Sequence, residues 1–149
     1  MRAFIPALAF FCTAVLAAEK KPMLAFYVVS PKKIEGGRFI DTKESPKLGY
    51  IPAQPSLGIV ELKKVVLTRR PGDQPTILIT LKQEHVEQLA NFTGRNIDRK
   101  ILLMLGEKPL IAPRILEKIS TPALQISVLD EKNRKQILQK LRRLVKINH

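Results

Sequence analysis

The apolar positions change period several times along the chain, and each change marks an element. In "QEHVEQLANFTGRNI", Val86, Leu89, Ala90, Thr93 and Ile97 recur at helical spacing, which predicts a helix with one stripe facing a sheet. Just before it, "TILITL" from Thr76 reads as a strand, as does "MLAFYVVS", Met23 to Ser30, with its aromatic and β-branched residues. "KILLMLG" and "PLIAP" predict a strand pair. Gly106 then takes the first central position of a type II′ turn, where φ must be positive. "ALQISV" supplies a further strand. Asp130 is placed as the N-cap of a closing helix, whose apolar face is Ile137, Leu138, Leu141, Leu144 and Val145.

Two stretches carry a weaker pattern. From Pro31 to Gly58 the chain is punctuated by prolines and glycines, which predicts irregular backbone with only brief extended pieces. "IVELKKVVLTRR", Ile59 to Arg70, fits neither period cleanly and reads as a strand, or as a short helix followed by one. The order strand, helix, strand, strand, strand, helix favours an α+β fold: a mainly antiparallel sheet with two amphipathic helices packed on one face. No internal repeat is found.

The first residues, "MRAFIPALAFFCTAVLAAEKKP", have the grammar of an export signal: Arg2, an apolar run from Ala3 to Leu16, then small residues before a charged start. Val15-Leu16-Ala17 places cleavage after Ala17, with Ala18 as the alternative. The run falls short of the roughly 20 residues a membrane helix needs; an uncleaved anchor is the other reading. Cys12 lies inside this run behind bulky Phe10 and Phe11, which fits no lipoprotein box, so the exported chain carries no thiol or disulfide. The expected organisation is a signal peptide at 1–17, an N-terminal strand with a Pro/Gly-rich extension at 18–58, and an α+β domain at 59–149.

Composition then narrows the partners. The 149 residues are 45% apolar and 26% charged, enough for one domain with a real core, and the net charge of +13 favours anionic partners or surfaces. Tryptophan is absent and only 5% of residues are aromatic, too few to build the stacking platform that single-stranded nucleic acid requires. Export also argues against a nucleic-acid partner. In the closing helix Lys132, Arg134, Lys135, Lys140, Arg142, Arg143 and Lys146 form a basic outer face, either solvated or, in a basic peripheral protein, held against an anionic lipid surface or cell-wall polymer.

Catalytic and metal chemistry find no assembled set. His85 and His149 are the only histidines, one on a helix and one at the terminus, so neither a histidine cluster nor a Cys-His site is expected. Glu84, Glu87 and Asp98 would form a carboxylate pair only by a coincidence of folding, and no glycine-rich phosphate loop follows a strand. The "NFT" triplet at Asn91 matches a glycosylation acceptor but lies inside the predicted helix. No enzyme and no cofactor is expected. The hairpin "RKILLMLGEKPLIAP" reads as core, with apolar residues pointing to both faces of a sheet and Ala112-Pro113 ending a strand or marking an edge.

One longer match cuts across these elements. "ILITLKQEHVEQLANFTGRNIDRKILLMLGEKPLIAPRILEKI" followed by "LQIS" resembles the head part of the first periplasmic domain of SecD, the membrane protein that assists protein export together with SecF. The shared features are Thr93 and Asn96 of a Thr-x-x-Asn motif, the apolar strand Ile101 to Leu105, Ala112-Pro113, and the spaced Ile115 and Ile119. The chain departs from the family in having Asp98 where glycine is usual, Gly106-Glu107 for an Asp-Gly turn, and Ser120-Thr121-Pro122 for a glycine-rich link.

The resemblance implies a free-standing head-like fold that handles exported polypeptide or contacts Sec translocon components. It does not imply the proton-driven activity, which belongs to membrane helices not predicted after the signal. Thr93 and Asn96, on one helical face, with Arg99 and Arg114 are the binding candidates, and Lys132, Lys135, Arg142 and Arg143 are the candidates on the basic surface. Thr93 and Asn96, one helical turn apart, can instead close the helix end by bonding local backbone groups.

Overall fold

The computed structural model describes residues 23–43, 45–69 and 71–145. The expected export signal lies outside the described residues, as do Lys146 and His149. Among the described residues, nine strands and two helices follow in the order β1 (Leu24–Val28), β2 (Arg38–Ile40), β3 (Gly49–Ile51), β4 (Leu57–Ile59), β5 (Lys64–Thr68), β6 (Thr76–Thr80), α1 (Gln83–Arg95), β7 (Ile101–Leu105), β8 (Lys108–Ile111), β9 (Ala123–Ser127) and α2 (Glu131–Arg142). The fold is α+β, with antiparallel strand pairing throughout. The strands divide into a four-stranded sheet, β4-β1-β7-β8, a three-stranded sheet, β5-β6-β9, and a two-stranded ribbon, β2-β3.

Strand β7 organises the first sheet because all five of its residues are buried. Side chains alternate across a strand, so Ile101, Leu103 and Leu105 enter the main core while Leu102 and Met104 enter a smaller one on the opposite face. Its neighbour β1 is split in the same way, Leu24 and Phe26 against Ala25 and Tyr27. Ile40 and Ile51 of the ribbon close the smaller core. Without that cover, Leu102 and Met104 would face water at about 1.5–3 kcal/mol each.

The main core joins the two sheets and both helices. Ile77 and Ile79 of β6, Ile126 of β9, Val86 and Leu89 of α1, and Ile137 and Leu141 of α2 all meet β1 and β7 there. Phe26 sets its ring against the edge of Phe92 with centroids 6.1 Å apart, tying α1 to the first sheet. At the far end of α2, the Leu62 amide donates to the Leu144 carbonyl at 2.9 Å, which fastens the helix exit to the start of the second sheet. The sequence boundary drawn at residue 59 falls inside β4, and β1 is a central strand paired on both sides.

Local chemistry explains where the helices end. Asp130 caps α2 by accepting from the Asn133 amide at 2.8 Å. Helix α1 closes at Asn96, whose amide donates to the Thr93 carbonyl and whose side chain donates to the Phe92 carbonyl at 2.8 Å. Ile97 therefore lies beyond the helix and is 43% exposed, which corrects its place in the predicted stripe. Phe92, absent from that stripe, is buried instead. The Pro31–Gly58 stretch holds the brief strands β2 and β3, and Ile59 to Arg70 forms strand without a helix in its described residues.

Candidate functional site

The β7–β8 hairpin turns on Gly106 at φ +60°, while Glu107 keeps negative φ, the type II′ pattern. Strand β8 then forms the outer edge of the four-stranded sheet. Its register slips between Leu103 and Met104, which pair with Ile111 and Pro109, so Leu110 is the extra residue of a bulge. Proline and bulge together blunt this edge against further pairing.

Beside β8 runs an open cleft of about 1260 Å³. Leu110 and Ile111 form one wall, Val128 and Leu129 another, and Gln136 and Ile137 of α2 a third. Leu129 is 80% exposed, an unusual state for a leucine on a concave surface. Lys43, Lys47, Lys100, Lys108 and Lys132 also line the cleft. Among the described residues none of these lysines forms an ion pair. Asp130, the one carboxylate lining the cleft among the described residues, is engaged as the cap of α2. The charge that the described residues bring to the cleft is therefore positive, and its apolar walls suit a ligand with both apolar and acidic groups.

Lys100 also lines a second hollow of about 500 Å³, with Arg99, Arg114 and Asp98. Asp98 adopts the left-handed conformation at φ +70°. The backbone there is tied on two sides: the Asp98 amide donates to the Ile115 carbonyl at 2.7 Å, and Arg114 Nη1 donates to the Asp98 carbonyl at 2.7 Å. Arg99 and Arg114 thus come together, and through Lys100 they adjoin the larger cleft.

The other binding candidates are placed differently. Thr93 is fully buried; its hydroxyl donates to the Leu89 carbonyl at 2.8 Å and accepts from the Ile119 amide at 2.9 Å. Asn96 spends its side-chain amide on Phe92 and borders a separate hollow of about 440 Å³ between α1 and β4. On the basic surface, Lys132 reaches the cleft, Lys135 pairs with Glu131 at 3.3 Å, and Arg142 and Arg143 are exposed at the helix exit. Arg134 leaves the predicted basic face altogether. It is 9% exposed and its guanidinium donates to the Val128 carbonyl at 2.7 Å, bracing one cleft wall.

Among the described residues no group of His, Cys, Asp and Glu is arranged to hold a metal, and no helix is long and apolar enough to cross a membrane. His85 sits 2.9 Å from Gln88 and 3.8 Å from Glu84, on the polar side of α1.

No protein-family model and no curated protein matches the sequence. Solved structures do match in fold. A SecDF chain, a membrane component that enhances protein export, aligns with a TM-score of 0.61 at 17% identity, over 95% of this chain and 70% of that one. SecDF in a super-membrane-facing form gives 0.61 at 18%, over 90% of this chain and 20% of that one. The translocon-associated SecDF of a Thermus species gives 0.58 at 18%, over 91% and 21%. What the chain shares with these SecDF proteins is the fold, over nearly its whole length.

Proposed function

We propose that this protein is a non-catalytic binding module of the cell envelope that contacts exported polypeptides during protein translocation. The observation that carries the reading is the cleft: open, with apolar walls and a rim of lysines that form no ion pair among the described residues. Its fold, similar to proteins that enhance export, supports the same direction. The export signal read in the first residues would deliver it to the compartment where such chains emerge. Crosslinking in intact envelopes, followed by identification of the attached species, tests it; exported polypeptides or translocon components are the expected products.

A second reading rests on the exposed Lys132, Arg142 and Arg143 of α2. These could hold an anionic lipid surface at about 1 kcal/mol per basic residue. The apolar stripe of α2 is spent on the core, so the helix has no face left to insert. Contacts made by exposed charge alone weaken as salt rises.

A further inference from the structure

We propose that the free edge of β9 accepts an added strand from an acidic, extended polypeptide, whose continuation past Ser127 lies in the lysine-rimmed cleft. This deepens the polypeptide-binding reading and rests on it.

The direction of the backbone groups follows from the ladder. The Leu81 amide donates to the Pro122 carbonyl at 2.8 Å, so the bonded pairs continue through Ile79–Leu124 and Ile77–Ile126. Ala123, Gln125 and Ser127 then direct their N–H and C=O groups away from β6. The Ala123 carbonyl takes the Thr121 hydroxyl at 3.4 Å, while the outward backbone groups of Gln125 and Ser127 meet no backbone partner among the described residues. β9 has five residues, no proline and an unbroken register.

The remaining edges are less suited. β8 is blunted by Pro109 and its bulge, and β2, β3 and β4 have three residues each. β5 has a comparable length, but its lead-in at Leu62 is already bonded to Leu144 and bridged to Val145 at the exit of α2.

Charge chooses the occupant. Ser127 lines the cleft, so a strand laid along β9 runs past it toward Leu129, Lys132 and Lys108. A second copy would bring another strongly basic chain, given a net charge of +13, and is repelled. The chain's own ends beyond the described residues, with Lys20, Lys21 and Lys146, carry the same sign. An acidic peptide with alternate apolar residues satisfies both demands: apolar side chains on the side of Leu124 and Ile126, carboxylates for the lysines.

The test uses the purified protein and a labelled synthetic peptide of about ten residues alternating Val or Thr with Glu, the length of a long strand. The peptide should bind, and Gln125→Pro, which removes one outward N–H without breaking the β6 ladder, should weaken binding about tenfold. Leu67→Pro, at an outward position on β5, should leave affinity unchanged, and thermal melts should show that both variants fold. As a second readout, hydrogen exchange in the unaltered protein should show the Gln125 and Ser127 amides gaining protection when peptide binds. Equal affinity in Gln125→Pro, unchanged exchange at those amides, or equal binding of a peptide with Lys in place of Glu would each overturn the proposal. So would binding to phosphatidylglycerol vesicles with none to the peptide. If unfolded exported proteins still bind the Gln125→Pro variant at full affinity, the edge is wrong while the broader reading stands.

Discussion

The hydroxyl of Thr93 accepts the Ile119 amide at 2.9 Å while donating to the Leu89 carbonyl at 2.8 Å. One buried oxygen thereby fastens the segment between β8 and β9 to the inner face of α1. Sequence spacing put Thr93 among candidates for a partner, yet its accessible surface is nil. Thr93→Val keeps the shape and removes the acceptor, leaving the Ile119 amide without its partner, so stability should fall by about 1–3 kcal/mol. Thr93→Ser should retain most of it. Urea denaturation midpoints check the ranking; equal stability of the valine variant would show the contact to be incidental.

Asp98 stands in the left-handed region at φ +70°, where an L residue other than glycine is disfavoured by about 1–2 kcal/mol. Asp98→Gly should relieve that strain and stabilise the protein by up to about 1 kcal/mol, the gain being reduced by the greater freedom of glycine in the unfolded chain. Asp98→Val should destabilise it, because a β-branched residue fits this region worst. The bond from Arg114 goes to the backbone carbonyl and survives either change. Thermal melts of the two variants should move in opposite directions.

Within α2, charge and burial separate the residues. Leu141 is fully buried, so Leu141→Ala should cost about 2–5 kcal/mol. Lys135→Ala should cost about 0.5 kcal/mol or less, because its pairing with Glu131 is exposed on both sides. Arg142→Ala belongs with it, being exposed in the last turn. Arg134→Ala should fall between the extremes at about 1–3 kcal/mol, since its guanidinium is bonded to the Val128 carbonyl. Denaturation curves that group Arg134 with Lys135 would mean that this brace contributes nothing.

The elements most legible in the sequence were those with their own signals. The unbroken apolar run Ile101 to Leu105 declared a strand buried on both faces, Gly106 declared the turn, and Asp130 declared a helix start. Resemblance supplied the connection to a SecDF-like fold, which the solved structures match. The β2–β3 ribbon was not legible, because its two short strands have too few residues to show a period, and their pairing is set by the core they cover. Nor was the cleft: residues near 43–48, 108–112 and 127–137 meet only through the tertiary fold. Arg134 was read from its charge as surface, although its carbonyl partner lies six positions earlier and draws it inward. Among the candidates from the sequence, Arg99, Arg114 and Lys132 line the cleft or the hollow beside it and Asn96 borders a separate hollow, whereas Thr93 spends its hydroxyl within α1 and on Ile119.

The central claim is contact with extended polypeptide, and titration of unfolded exported proteins against the purified protein at low and high salt tests it most directly. Binding should be weak but present in both conditions: the lysine rim speeds encounter and loses force with salt, while docking on apolar walls and backbone groups persists. Absence of binding in both conditions, or attachment to anionic vesicles alone, would contradict the account.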